Sequence, residues 1–228
     1  MLFALLPGAG CEPWIWHRVV PELQQRGHDA IAVRLPYDDQ RAGLSEHADA
    51  IASAIGARED VALVAQSIAG FVAPLVCTRL PARLLTLVNA MIPMPGETAG
   101  AWWEHVDHAS ALAPVVAEHG LVESWDAAAQ VAVFLNDVEP ALASESANYV
   151  GPPGAGIFSS PVAIDAWPDV PTRALGGRRD RFFPLEFQRR VARERLQIEL
   201  DEIDGGHSPM LARPEEFASR LAAYADEL

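Results

Sequence analysis

Ser67, Asp180 and His207 are the residues whose types and order could do chemistry in this chain. A serine hydroxyl attacks poorly unless a base takes its proton. A histidine can be that base, and a carboxylate behind it fixes the ring and stabilises its cation. Ser67 stands in Ala65-Gln66-Ser67-Ile68-Ala69-Gly70, between an apolar run at 61–64 and a stretch from Phe71 that continues as a helix. A tight strand-to-helix turn lifts the hydroxyl clear of the backbone. It also sets the N–H of the next residue, Ile68, at a helix N-terminus, where a developing oxyanion is stabilised. His207 lies in Ile203-Asp204-Gly205-Gly206-His207-Ser208-Pro209-Met210, whose paired glycines let the ring swing inward. Asp180 follows an apolar run and Gly176-Gly177, in a loop at a strand's carboxyl end. In open parallel sheets that edge is where ligands and catalytic groups gather.

The elements that must position these residues alternate along the chain. Strands are expected near 2–6, 29–34, 61–64, 84–89, 172–175 and 197–200. Helices are expected near 21–26, 45–55, 69–79, 185–195 and 214–225. Apolar runs bounded by helices predict an α/β fold, a mostly parallel sheet of about six strands with both faces covered. Pro21 suits a helix first turn and Gly27 a C-terminal cap. Residues 91–168 break the alternation with three helical patterns, near 101–119, 126–135 and 140–148. This divides the chain into a core, residues 1–90 and 169–228, and a helical lid at 91–168. The lid holds Trp102, Trp103, Trp125, Phe134 and Phe158. Most such rings pack the lid on the core; Trp102, Trp103 and Phe134 are the candidates for lining an apolar pocket.

Three segments carry a resemblance: Leu6-Pro7-Gly8-Ala9-Gly10-Cys11-Glu12-Pro13-Trp14-Ile15-Trp16, the Ser67 turn, and Gly205-Gly206-His207-Ser208-Pro209-Met210-Leu211. Over nearly its whole length the chain resembles the α/β-hydrolase fold. It is similar to small bacterial hydrolases related to the plant methylesterase and hydroxynitrile lyase group. The resemblance implies a nucleophile elbow at Ser67 and an oxyanion hole from the backbone N–H groups of Ala9 and Ile68. Two departures stand out. Ala65 and Ala69 replace the usual flanking glycines, and Pro7 replaces a histidine of the first loop. The family order, serine then acid then histidine, favours Asp180 over two rivals. Asp204 lies three residues from His207 in the same loop, and Asp201 sits at a strand end where it can face outward. Arg178, Arg179 and Arg181 are expected to keep Asp180 ionised through nearby positive charge.

Composition narrows the partners. A net charge of −14 argues against nucleic acid and anionic membranes. All 17 basic residues are arginines. No apolar run is long enough to span a bilayer. The apolar start at Met1 lacks the basic flank of a secretory signal. Cys11 and Cys77 form no disulfide framework, which fits a reducing, cytoplasmic setting. His105, His108 and His119 lack the carboxylate pattern of a metal site, and His17, His28 and His47 read as surface or helix-end residues. Neither a metal nor another cofactor is expected. The expected partner is a small-molecule ester, acted on by a monomer or homodimer through an acyl-enzyme. Ester, thioester and lactone all remain open. Lyase chemistry of the hydroxynitrile lyase type employs a lysine that this chain lacks. A non-catalytic ligand-binding protein on the same fold is the remaining alternative.

Overall fold

Alternate residues of each buried strand feed two different cores. In β1 (Leu2–Leu6), Leu2, Ala4 and Leu6 enter one core while Phe3 and Leu5 enter the other. In β3 (Val61–Gln66), Val61, Leu63 and Ala65 share the first, and Ala62 and Val64 the second. A strand buried on both sides reads as an unbroken apolar run, and these two do. The computed structural model that shows this describes residues 1–120 and 127–228. β2 (Asp29–Ala32), β4 (Ala82–Val88), β5 (Thr172–Gly177) and β6 (Leu200–Ile203) complete a six-stranded sheet, ordered β2-β1-β3-β4-β5-β6 and parallel throughout.

Helices cover both faces. α2 (Leu44–Ile55), α3 (Ala69–Cys77) and α9 (Leu185–Leu196) give Ile51, Phe71 and Val191 to the first core. α1 (Val19–Gln25) and α11 (Pro214–Asp226) give Leu23 and Phe217 to the second. Fully burying such a side chain stabilises the fold by about 1.5–3 kcal/mol. The strand order reverses direction between β1 and β3. The loops leaving those two strands therefore diverge to opposite faces and open a crevice at their carboxyl ends.

Between β4 and β5 the chain forms α4 (Ala99–His105), α5 (His108–His119), α6 (Ala127–Phe134), α7 (Pro140–Ser146) and the short α8 (Gly156–Ser159). Its entry is fixed by a buried ion pair. Arg195, at the end of α9, holds Glu97 in a fork, with Nη1···Oε2 2.6 Å and Nη2···Oε1 3.2 Å. The same carboxylate accepts from Met94 N at 3.0 Å and meets His105 Nδ1 at 2.7 Å. Burial alone would push Glu97 up, but bonds from Arg195, Met94 N–H and His105 together hold its carboxyl below the usual value.

Four expectations need correction. The helical pattern at 101–119 is two helices, because Asp107 turns left-handed at φ 49°. That turn lets Trp102, Val106 and His108 all point inward. The last strand starts at Leu200, not at residue 197. Gln197 is left-handed at φ 57° and closes α9 instead, its N–H bonded to Arg193 O. His47 is buried, its ring 5.1 Å from that of Tyr37. The expected helices also lack two short ones that are present, a 3-10 turn at Pro13–Trp16 and α10 (Pro209–Ala212). Trp125 and the expected helix start at 126 lie outside the described residues.

Candidate active site

Ser67 follows β3 directly and precedes α3, with φ 55°. A non-glycine residue in the left-handed region costs about 1–3 kcal/mol and persists only where its surroundings over-determine it. Here its main chain is tied on three sides. Its N–H bonds Val88 O at 3.1 Å, and its C=O accepts from Gly70 N at 3.1 Å and Met91 N at 3.0 Å. The turn leaves no room for side chains. A methyl group on Gly70 would collide with Met91 O. Ala65 and Ala69, fully buried, are the smallest residues that still carry a Cβ.

The loop after β1 comes up against the same serine. A Cβ placed on Gly8 would lie 3.1 Å from Ser67 Cβ and overlap Gln66 Oε1. Tyr37 Oη donates to Pro7 O at 2.9 Å, a support from the buried side where the family pattern has a histidine at position 7. Among the described residues, the Ala9 and Ile68 N–H groups have no hydrogen-bond acceptor in the protein. Ile68 follows Ser67 directly, and Ala9 follows Gly8, the glycine that approaches Ser67.

Asp180 and His207 meet. His207 Nδ1 lies 2.8 Å from Asp180 Oδ2, with both side chains buried. The other carboxylate oxygen, Oδ1, accepts from Phe182 N at 2.8 Å and Phe183 N at 2.9 Å. Arg178, Arg179 and Arg181, expected to keep Asp180 ionised, are engaged elsewhere: with Glu202, with Asp137 and Asp204, and with Ala132 O. The carboxylate is held instead by the two backbone N–H groups of Phe182 and Phe183. Asp201 accepts from Tyr224 Oη at 2.7 Å, and Asp204 pairs with Arg179 at 3.2 Å with its side chain half exposed. Neither meets the histidine.

His207 is framed by Phe134, Phe182 and Phe183, at ring distances of 5.2, 5.4 and 5.4 Å. Its main-chain oxygen is held by Asn89 Nδ2 at 3.1 Å and Gln66 Nε2 at 3.4 Å. Asn89 also takes Gly177 N on its Oδ1 at 2.7 Å, so one amide ties the ends of β4 and β5 to the histidine loop. Sequence reading missed Asn89, Gln66 and Tyr37. For Asn89 a signal existed: an amide directly after the apolar run of β4, at the same sheet edge as Ser67.

A cavity of about 210 Å³ opens beside this group, its walls including Ala9, Trp14, Gln66, Phe134, Tyr149 and His207. Trp14 and Tyr149 stack on each other in its wall, rings 4.6 Å apart and 4° from parallel. Of the expected lining residues, Phe134 is there and the two tryptophans are not. Trp102 is wholly buried, Nε1 donating to Ile92 O at 2.9 Å, and Trp103 packs on Phe182 and Phe183. Trp102 also meets Phe187 of α9, rings 5.8 Å apart, and the two tryptophans pack edge-on against each other at 5.1 Å. Cys11 also borders the cavity, but burial pushes its thiol up to about 12. At neutral pH it is not a competing thiolate. A second cleft of about 310 Å³ lies between Arg34 and Asn148; His207 lines the first cavity and not this one, and Ser67 and Asp180 are in the walls of neither. No group of three or more His, Cys, Asp or Glu side chains that could hold a metal occurs among the described residues.

The sequence model of a family described as the alpha/beta hydrolase family matches residues 3–220. Among curated proteins, none matches the sequence. Solved structures resemble it closely in shape. Polyneuridine aldehyde esterase superposes with a TM-score of 0.82 at 16% identity, covering 99% of each chain. A pyrethroid hydrolase from Sphingobium faniae JZ-2 gives 0.78 at 17% identity, over 99% of this chain and 97% of its own. The methylesterase MES16 from Arabidopsis gives 0.79 at 14% identity over all of both chains. At such identities the likeness speaks for the fold.

Proposed function

The chain belongs to the alpha/beta hydrolase family, and from that premise we propose that it is a serine hydrolase of carboxylic esters. The observation that carries this reading is the buried Asp180–His207 pair, 2.8 Å apart, whose histidine loop is bonded by Gln66, the residue before a serine on a left-handed turn. In the proposed mechanism His207 Nε2 takes the proton of Ser67 Oγ as that oxygen attacks the acyl carbon. Asp180 holds Nδ1–H and stabilises the imidazolium. The Ala9 and Ile68 N–H groups bind the oxyanion. The imidazolium then protonates the departing alkoxide, and water, activated by the same histidine, releases the acid. These steps use only side chains and backbone groups of this chain.

Residues 91–168 act in this reading as a lid whose helices α6 and α7 roof the substrate cavity. Its apolar walls and modest volume suit a small to medium ester, apolar near the reacting carbon. No helix of the described residues is long and apolar enough to cross a membrane. Two free cysteines, Cys11 and Cys77, fit a reducing, cytoplasmic setting. The structural neighbours whose names speak of esterases point the same way.

A panel of p-nitrophenyl esters of rising acyl length, with a fluorophosphonate probe of serine reactivity, tests the proposal. Labelling at Ser67 and activity concentrated on short and aromatic acyl groups support it. Folded protein that is neither labelled nor active would favour the ligand-binding alternative instead.

A further inference from the structure

Asn136 and Asp137 follow the apolar helix α6, where short polar side chains would ordinarily turn to water. They turn inward instead. The Asp137 side chain is only 7% exposed, and Asn136 Oδ1 and Asp137 Oδ1 are buried without a hydrogen-bond partner. Burying a carboxylate costs several kcal/mol unless it is paired, so docking the helix by apolar contact alone would not favour an aspartate here.

Their partners lie on the two loops that carry the acid and the histidine. Asp137 Oδ2 accepts from Gly206 N at 2.9 Å, one residue before His207. Asn136 Nδ2 donates to Arg179 O at 3.2 Å, one residue before Asp180. Arg179 closes the junction. Its N–H bonds Gly205 O at 2.9 Å, and its guanidinium meets Asp137 at 3.5 Å and Asp204 at 3.2 Å. A Cβ on Gly206 would lie 2.7 Å from both orphaned oxygens, so the pair presses directly on the loop.

We infer that Asn136 and Asp137 are positioning residues, which lock the loops of Asp180 and His207 to each other from the inserted helices. The inference rests on the serine-hydrolase reading above. Gly205-Gly206 gives the histidine loop unusual backbone freedom, and a displacement of about 1 Å can cost on the order of 100-fold in rate. The charge-assisted bond to Gly206 N removes that freedom where the ring must be aimed. Neither residue borders the substrate cavity, so their effect should fall on turnover and not on binding.

The test compares whole-chain wild type with Asp137→Ala, Asp137→Asn and Asn136→Ala. It measures kcat and KM on p-nitrophenyl butyrate, the rate of fluorophosphonate labelling, and the folded fraction by circular dichroism. Asp137→Ala should lower kcat and labelling about 10- to 100-fold with KM within about threefold. Asp137→Asn keeps an oxygen acceptor for Gly206 N–H and should recover most of that loss. Asn136→Ala, which removes only the bond to Arg179 O, should slow labelling about three- to tenfold while staying folded. It decides the matter if Asp137→Ala fails to fold. Wild-type kcat in a folded Asp137→Ala, or wild-type labelling in Asn136→Ala, overturns the inference while leaving Ser67 as nucleophile. Wild type that resists the probe removes the nucleophile itself, and the inference with it.

Discussion

The two halves of the site are built by different physics. Around Ser67 the work is done by the absence of side chains: Gly8, Ala65, Ala69 and Gly70 let three backbone segments close on one another. Around Asp180 and His207 the backbone is loose and glycine-rich, and polar side chains supply the order: Asn89, Gln66 and Asp137 each bond the main chain of the histidine loop. A site made by close approach should be damaged by added atoms. A site made by hydrogen bonds should be damaged by removed ones.

The largest expected effect checks that the two halves act on one reaction. Ser67→Ala should remove roughly four to six orders of magnitude of turnover on an ester while the thermal midpoint hardly changes, since alanine keeps the same Cβ in the same left-handed turn and loses only the hydroxyl. Activity above a few per cent of wild type would mean that the nucleophile lies elsewhere.

Next comes the acid. Asp180→Asn keeps the shape but not the charge and should lower kcat by roughly 10³–10⁴-fold, whereas Asp204→Asn, on the exposed side of the same loops, should stay within a few fold. Equal losses would erase the distinction between them.

Adding atoms to the serine half gives the third comparison. Gly8→Ala pushes on Gln66 and Ser67 and displaces the Ala9 N–H; a decrease of about 10²–10³-fold in kcat is expected, the value of one oxyanion donor. Gly70→Ala collides with Met91 O and should destabilise the fold by about 1–3 kcal/mol in denaturant titration. If both variants behave as wild type, close packing is not what shapes the turn.

The smallest effect concerns protons, and it touches both halves alike. Each has one buried histidine whose pKa burial lowers from 6.5: His47, packed on Tyr37, and His108, which bonds Phe182 O at 2.8 Å. A native pKa below the unfolded value means that the unfolded chain takes the proton first. Stability is then full above pH 6.5 and declines as pH falls below it toward the native value. The melting temperature should be lower at pH 5.5 than at pH 7.5, and the gap should narrow in His47→Phe and in His108→Phe. Glu97, also held below its usual 4.5, contributes only in a more acid range and leaves this window untouched. A flat profile between the two pH values would contradict the assignment.

The same contrast explains what sequence could convey. Strands β1 and β3 are buried on both faces, so their composition betrays them. β6 is half-exposed at the sheet edge, and Gln197-Ile198 imitates its pattern three residues early. The alanines flanking Ser67 kept the elbow legible because small residues are needed there in any case. Asp137 was illegible because its partner Gly206 is 69 residues away, and nothing local marks an aspartate as buried. Trp102 and Trp103 misled because an aromatic residue in an inserted helix packs on the core as readily as on a substrate.

The strand order also bears on how the chain reaches its native state during synthesis. β4, with Leu84-Leu85-Thr86-Leu87-Val88 buried in the finished sheet, leaves the ribosome long before its second neighbour, β5. All of the inserted helices must be made between them. Until then β4 is an apolar edge with unpaired N–H and C=O groups, a template for wrong pairing. Shortening the insertion would reduce that exposure but strip the roof from the cavity. Expression at lower temperature, or with a chaperone that shields nascent strands, should therefore raise the yield of folded protein by acting on this interval.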